Sequence, residues 1–141
     1  MRVSMAFLVV LALTAVVLPG AARAAELSPS PVWQGDTLLG PARAAAQLVK
    51  ATFTYNTTTK ALVFKLGSKT VQMTLGSTSA KVNGKSTTLP VAPKTINDTS
   101  YVPLKTLFIG LGLQIHASGS NSWLICTDQM CIPLKVPPKP Q

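Results

Sequence analysis

The chain has very little of what chemistry is usually built from. Four acidic residues, one histidine and two cysteines are spread over 141 positions. Hydrolysis by paired carboxylates needs two acids across a cleft, and only Asp36, Asp98 and Asp128 lie in the body of the chain. Asp36 and Asp98 sit in turn-like contexts, which suits turn formation better than acid/base work. A structural zinc site takes four nitrogen or sulfur ligands; His116, Cys126 and Cys131 make three. Met73 and Met130 could add soft ligands for copper(I), but Met73 falls on an apolar strand face and reads as core filling. There is no Gly-x-Ser-x-Gly elbow to present a nucleophile. No glycine loop opens a helix to cradle phosphate, since Gly110 and Gly112 end one instead. These absences exclude the common hydrolase, metal and phosphate chemistries. No enzyme activity, cofactor or metal is expected.

Long hydrophobic runs are also missing beyond the first residues. Arg2 precedes the apolar run Met5–Leu18, Pro19 and Gly20 break it, and Ala22-Arg23-Ala24 supplies small residues at −3 and −1. This is the grammar of a cleaved export signal over 1–24, too short to span a bilayer comfortably. No transmembrane segment is expected after cleavage. The remaining chain is one domain in size and can bury roughly 65% of its unfolded surface.

Charge is one-sided, with 13 Lys+Arg against 4 Asp+Glu. Such a surface attracts anionic polymers through a general field, without a defined site. Lys60, Lys65, Lys69, Lys81 and Lys85 are the candidate basic surface. The same lysines would also keep exposed strands from pairing at their edges. No nucleic-acid partner is expected.

Residues 25–35 carry two prolines after the signal and read as a leader arm. Residues 136–141 (VPPKPQ) cannot join a ladder, because proline lacks the amide donor, and read as an extended tail. The ordered body is expected over 36–135. Within it the chain matches itself at a shift of 62 positions: Asp36 on Asp98, Thr37 on Thr99, Pro41 on Pro103, Arg43 on Lys105, Leu62 on Leu124. Two βαββ-type repeat units are therefore expected, at about 36–64 and 98–126, joined by hairpins over 69–89.

Leu104, Leu107, Phe108 and Leu111 fall at i, i+3, i+4 and i+7, which predicts a helix begun at Pro103 and stopped near Gly112. Ala42, Ala45, Ala46 and Val49 repeat that spacing after Pro41. Leu62, Phe64 and Leu66 alternate, as do Val71, Met73 and Leu75 across a Gly67-Ser68 turn. Asn83-Gly84 predicts a type I′ hairpin. Leu113, Ile115 and Ala117 predict another strand, with Trp123 and Ile125 facing inward on the next. The expected class is α+β: a mostly antiparallel sheet with two helices packed on it.

Taken in order, Lys81-Val82-Asn83-Gly84-Lys85, Leu89, Pro93, Ile96-Asn97 and Tyr101-Val102-Pro103-Leu104-Lys105 resemble the copper amine oxidase N-terminal-like domain, also called the stalk domain. The likeness covers roughly 36–126. It implies a separable surface module, common in exported bacterial proteins, that is not the copper-holding or chemical part of the oxidase. It also implies a secreted, cell-surface or periplasmic location. The helix reading Phe108-Ile109-Gly110 departs from the family's usual Ala-Glu pair, and the second strand carries Ala117 where an aromatic is usual.

Cys126 and Cys131, separated by a four-residue turn on a hairpin, are placed for a structural disulfide in an oxidising compartment. A redox dithiol is the rival reading, although its usual spacing is two residues. Asn56-Thr57-Thr58 and Asn97-Asp98-Thr99 match glycosylation sequons. Among the aromatics able to stack on sugars, Tyr55, Tyr101, Trp33 and Trp123, the leader-arm Trp33 is the freest. Two functions are expected from these residues. One is an exported, non-catalytic interaction or scaffold module that binds another extracytoplasmic protein or the cell envelope. The alternative is a binding protein for anionic glycan or cell-wall polymer.

Overall fold

Two tight turns set the frame. Gly35-Asp36 joins β1 (Val32–Gln34) to β2 (Thr37–Pro41), and Asn97-Asp98 joins β8 (Lys94–Ile96) to β9 (Thr99–Pro103). Asn97 and Asp98 hold φ of 48° and 63°, the left-handed values a two-residue type I′ hairpin needs. β2 then pairs antiparallel with β9, Leu39 opposite Pro103 and Gly40 opposite Val102, giving a four-stranded sheet in the order β1-β2-β9-β8. These are observations on a computed structural model, which describes residues 25–140. The export signal expected over 1–24 lies outside the described residues.

Each central strand ends on a proline and turns straight into a helix: α1 (Ala42–Leu48) after Pro41, α2 (Leu104–Gly110) after Pro103. Proline cannot continue the ladder and is placed where a helix's first amides have no partner anyway. Both helices stop in the same way. Ala51 N–H reaches the Ala46 carbonyl at 2.8 Å, and Leu113 N–H the Phe108 carbonyl at 2.9 Å. The residue before each bond is left-handed, Lys50 at φ 59° and Gly112 at φ 84°, which is the Schellman closure. The stop expected at Gly112 is observed.

After α1 the chain runs as a five-stranded meander: β3 (Thr52–Asn56), β4 (Ala61–Leu66), β5 (Lys69–Thr74), β6 (Ser79–Val82) and β7 (Lys85–Thr88). After α2 come β10 (Gln114–Ala117), β11 (Ser122–Cys126) and β12 (Cys131–Lys135), a three-stranded sheet. The class is α+β, and among the described residues all pairings between these strands are antiparallel, with one isolated parallel bridge at Ala25–Leu134. The single sheet that strand counting suggests is divided into three. Each helix carries the chain out of the β2–β9 sheet, and the strands that follow pair with their neighbours in sequence.

Residues 25–35 differ from the expected free arm. Leu27 is buried, Val32–Gln34 forms β1, and Ala25 bridges β12 through bonds with Pro133 and Lys135. The segment is tied down because its alternate residues are apolar, which the prolines around them obscured. Val136 is buried as well, while residues 137–140 take no strand.

The core lies where the helices meet the sheets. Leu104, Leu107 and Phe108 of α2 are fully buried with Leu62, Phe64, Val71 and Met73 of the meander and Ile125 and Leu134 of the short sheet. Ala42, Ala45 and Ala46 of α1 are equally buried but small. A buried large side chain contributes about 1.5–3 kcal/mol, so α2 carries more of the stability than α1. Phe108→Ala should therefore cost about 3–5 kcal/mol, and Ala46→Ser far less. Thermal melts of the two variants check this; a parent-like melt for Phe108→Ala would place the α2 stripe outside the core.

Candidate functional site

β1 and β11 bring the chain's two tryptophans together. Trp33 and Trp123 meet edge to face, with ring centroids 6.5 Å apart and planes at 86°, a favourable arrangement for the ring quadrupoles. Neither ring is in the core and neither is free; both are half-buried. Trp123 lies on the inward face it shares with Ile125, as expected, and packs against the core without being sealed in it, whereas Trp33, expected to stand clear on an arm, packs there too. Tyr101 is only 4% exposed, its hydroxyl donating to the Ser30 carbonyl, and is closed to sugar stacking.

Around the tryptophans runs a groove of about 660 Å³. Leu38 of β2, Ile109 of α2 and Val82 of β6 give it apolar walls, while Lys105 and Asp36 stand at its rim. Ile109 is 53% exposed and presents its side chain to the groove. The proline-rich segment lies along one side. Trp33 Nε1–H donates to the Pro137 carbonyl at 2.8 Å. The Lys139 ammonium stands 5.9 Å from the Trp33 ring centre and pairs with Asp36. That hydrogen bond, and then the positive charge itself, hold the Asp36 carboxyl below the usual carboxylate range.

The five candidate lysines are all exposed but do not form one patch. On the meander, Leu62, Phe64, Val71, Met73 and Ala80 face the core. Lys65 and Lys81 take the opposite face, among Thr54, Thr70, Gln72 and Ser86. Lys69 and Lys85 pair with Leu66 and Val82 and so belong to the inner parity, at strand ends; Lys60 sits in the β3–β4 turn. The reason is the register: each strand pair sets an odd position opposite an even one, so lysines an even number apart on neighbouring strands fall on opposite faces.

Cys126 and Cys131 are disulfide-bonded, closing the β11–β12 hairpin with Cα atoms 4.0 Å apart. Thr127 and Met130 bond within the turn at 2.7 Å, which leaves the cysteines as the closer, non-hydrogen-bonded pair. His116 is exposed. Among the described residues no three of His, Cys, Asp and Glu are grouped to hold a metal ion.

A family model described as the copper amine oxidase N-terminal domain matches residues 21–126. The chain belongs to that family. In copper amine oxidase this N-terminal domain is a non-catalytic accessory domain. No curated protein and no solved structure matches the chain. The family match includes both tryptophans, β2, β9 and α2, and it ends at Cys126, so β12 and the proline-rich segment lie beyond it. What reading the sequence missed is the meeting of Trp33, Trp123 and that segment. The available signal was Gly35-Asp36 between Trp33-Gln34 and Thr37-Leu38, a hairpin pattern.

Two outcomes follow. The bridge closes a short loop in a domain with a full core, so Cys126→Ala should lower stability by about 2 kcal/mol and leave the protein folded; denaturant unfolding measures it. The Asp36 contact favours the ionised carboxylate, so it is complete above the ordinary value of 3.8 and is lost as pH falls through the lowered one. Tryptophan emission should be flat from about pH 7 to 5 and change below about pH 4. Lys139→Ala should remove that acid change.

Proposed function

We propose that the protein is an exported, non-catalytic interaction module that holds another extracytoplasmic protein through the groove between Trp33 and Trp123. The observation that carries this reading is the groove itself. It combines two tryptophans in half-exposed positions, an exposed Ile109 and a charged rim, the composition of an interface centre. Membership in a family whose domain is an accessory one supports it. Export is read from the signal over 1–24.

We further infer that the body is a duplicated unit, over about 36–64 and 98–126. β1 and β8, β2 and β9, and α1 and α2 each begin 62 positions apart. The duplication accounts for a pair of helices equal in place and unequal in weight.

One observation favours a second reading. The outer face of the meander carries hydroxyls, amides, Lys65 and Lys81, and its strands contain no acidic residue. That surface suits an anionic glycan or wall polymer, held weakly and diffusely.

Envelope extract passed over the immobilised protein separates the two. Ile109→Asp places a charge in the groove at an exposed position, and should abolish retention of a protein partner while the melt stays parental. Lys65→Ala with Lys81→Ala should leave that partner bound. If retained material is instead released steadily by salt, and lost only in the double lysine variant, the polymer reading replaces the first.

A further inference from the structure

We propose that the tryptophan groove recognises an extended, proline-rich segment carrying a cation, and that residues 137–140 of this chain occupy part of it in that manner. The inference rests on the groove's being a protein-contact surface and adds the chemistry of the partner.

The contacts define the specificity. An extended proline run has carbonyls to offer and no amides, so it cannot be held by a sheet edge; it needs a donor facing it. Trp33 Nε1–H is that donor, 2.8 Å from the Pro137 carbonyl. Two residues further on, Lys139 meets Asp36 and stands over the same indole ring. One tryptophan and one carboxylate thus read a carbonyl and a cation at a fixed spacing. In a polyproline conformation Pro137 and Pro140, three apart, would fall on one edge. Aromatic grooves that take such segments rely on this low-entropy, preformed ligand.

The chain's own segment does not fill the site. With it in place the groove keeps about 660 Å³ between Trp123, Ile109 and Val82, room for apolar residues of a longer ligand. A second groove, of about 370 Å³, on the other side of the seam between β2 and β9 repeats the acid and the cation of the first, with Phe53 and Tyr55 in place of the tryptophans. Asp98, Thr99, Pro41 and Arg43 there correspond to Asp36, Thr37, Pro103 and Lys105, each 62 positions apart, and Ser28-Pro29 lies against them. A proline-bearing segment therefore rests on each acid–cation groove. The partner committed to is a protein segment with lysine or arginine two residues after a proline. It must outcompete a tethered copy whose effective concentration is on the order of millimolar.

The test uses the full chain and the acetylated peptide Val-Pro-Pro-Lys-Pro-Gln amide, followed by tryptophan emission. Lys139→Glu sets like charges at Asp36 and frees the site. This variant should bind the peptide roughly tenfold more tightly than the parent, and Lys139→Ala should fall between them. Adding Asp36→Ala to Lys139→Glu should reverse the gain, and a peptide with glutamate in place of its lysine should not bind. The proposal is overturned if both Lys139 variants keep the parental melt yet bind no better than the parent. Equal binding of the lysine and glutamate peptides, or of polyglutamate in their place, overturns it as well. Loss of the envelope partner in Ile109→Asp, without any peptide binding, would sink this inference and leave the interaction module standing.

Discussion

The pairing of β2 with β9 is the constraint from which the rest follows. Gly40 faces Val102 in this pair, and a Cβ on Gly40 would lie 2.7 Å from the Leu104 side chain. Leu104 thus occupies the space a side chain at 40 would take, and it is the first residue of α2. The strand of one half and the helix of the other are seated on each other through one missing side chain. Any larger residue at 40 would have to move a fully buried leucine, and a close-packed interior has little room for that.

The groove is a product of that seam. Its floor comes from the β1–β2 hairpin, with Trp33 and Leu38 on the strands and Asp36 in the turn; its wall comes from α2, which follows β9 and carries Lys105 and Ile109. Neither half alone would assemble it. The same arrangement explains why an acid is found there in so basic a chain. Asp36 closes the β1–β2 hairpin for reasons of turn geometry, and the seam then places that turn beside the proline-rich segment. In a chain with 13 Lys+Arg and 4 Asp+Glu, one exposed carboxylate next to an indole face is a selective mark for a cation.

Much of the fold was legible in the sequence, for identifiable reasons. The α2 stripe, the Gly112 stop, the Asn83-Gly84 hairpin, buried Met73 and the Cys126–Cys131 bridge each depend on residues within a few positions of one another. Local spacing carries such information. The division into three sheets was not legible, because period two says which face a strand buries and is silent on which strand lies beside it. The tryptophan groove was missed for a related reason. Alternation put Trp123 on the face of Ile125 correctly, but it is silent on contacts between distant strands and so could not bring Trp33 against it. Prolines at 137, 138 and 140 correctly ruled out a strand but could not say where the segment would rest.

One further contact makes the groove rigid. Asn83, placed in the β6–β7 turn for its tolerance of φ 53°, accepts from Thr70 N–H at 2.8 Å and donates Nδ2–H to the Gly110 carbonyl at 3.1 Å. It fastens the meander hairpin to the last turn of α2. Gly110 permits the approach, since a Cβ there would fall 2.6 Å from Val71 Cγ2, a fully buried branched side chain with nowhere to go. Val82 and Ile109, on facing walls of the groove, are therefore fixed relative to each other by a hydrogen bond and a close packing contact. A site held open in this way spends little of its binding energy on ordering itself. The turn residue that the hairpin requires and the glycine that the helix requires are thus also what keeps the tryptophan groove in shape.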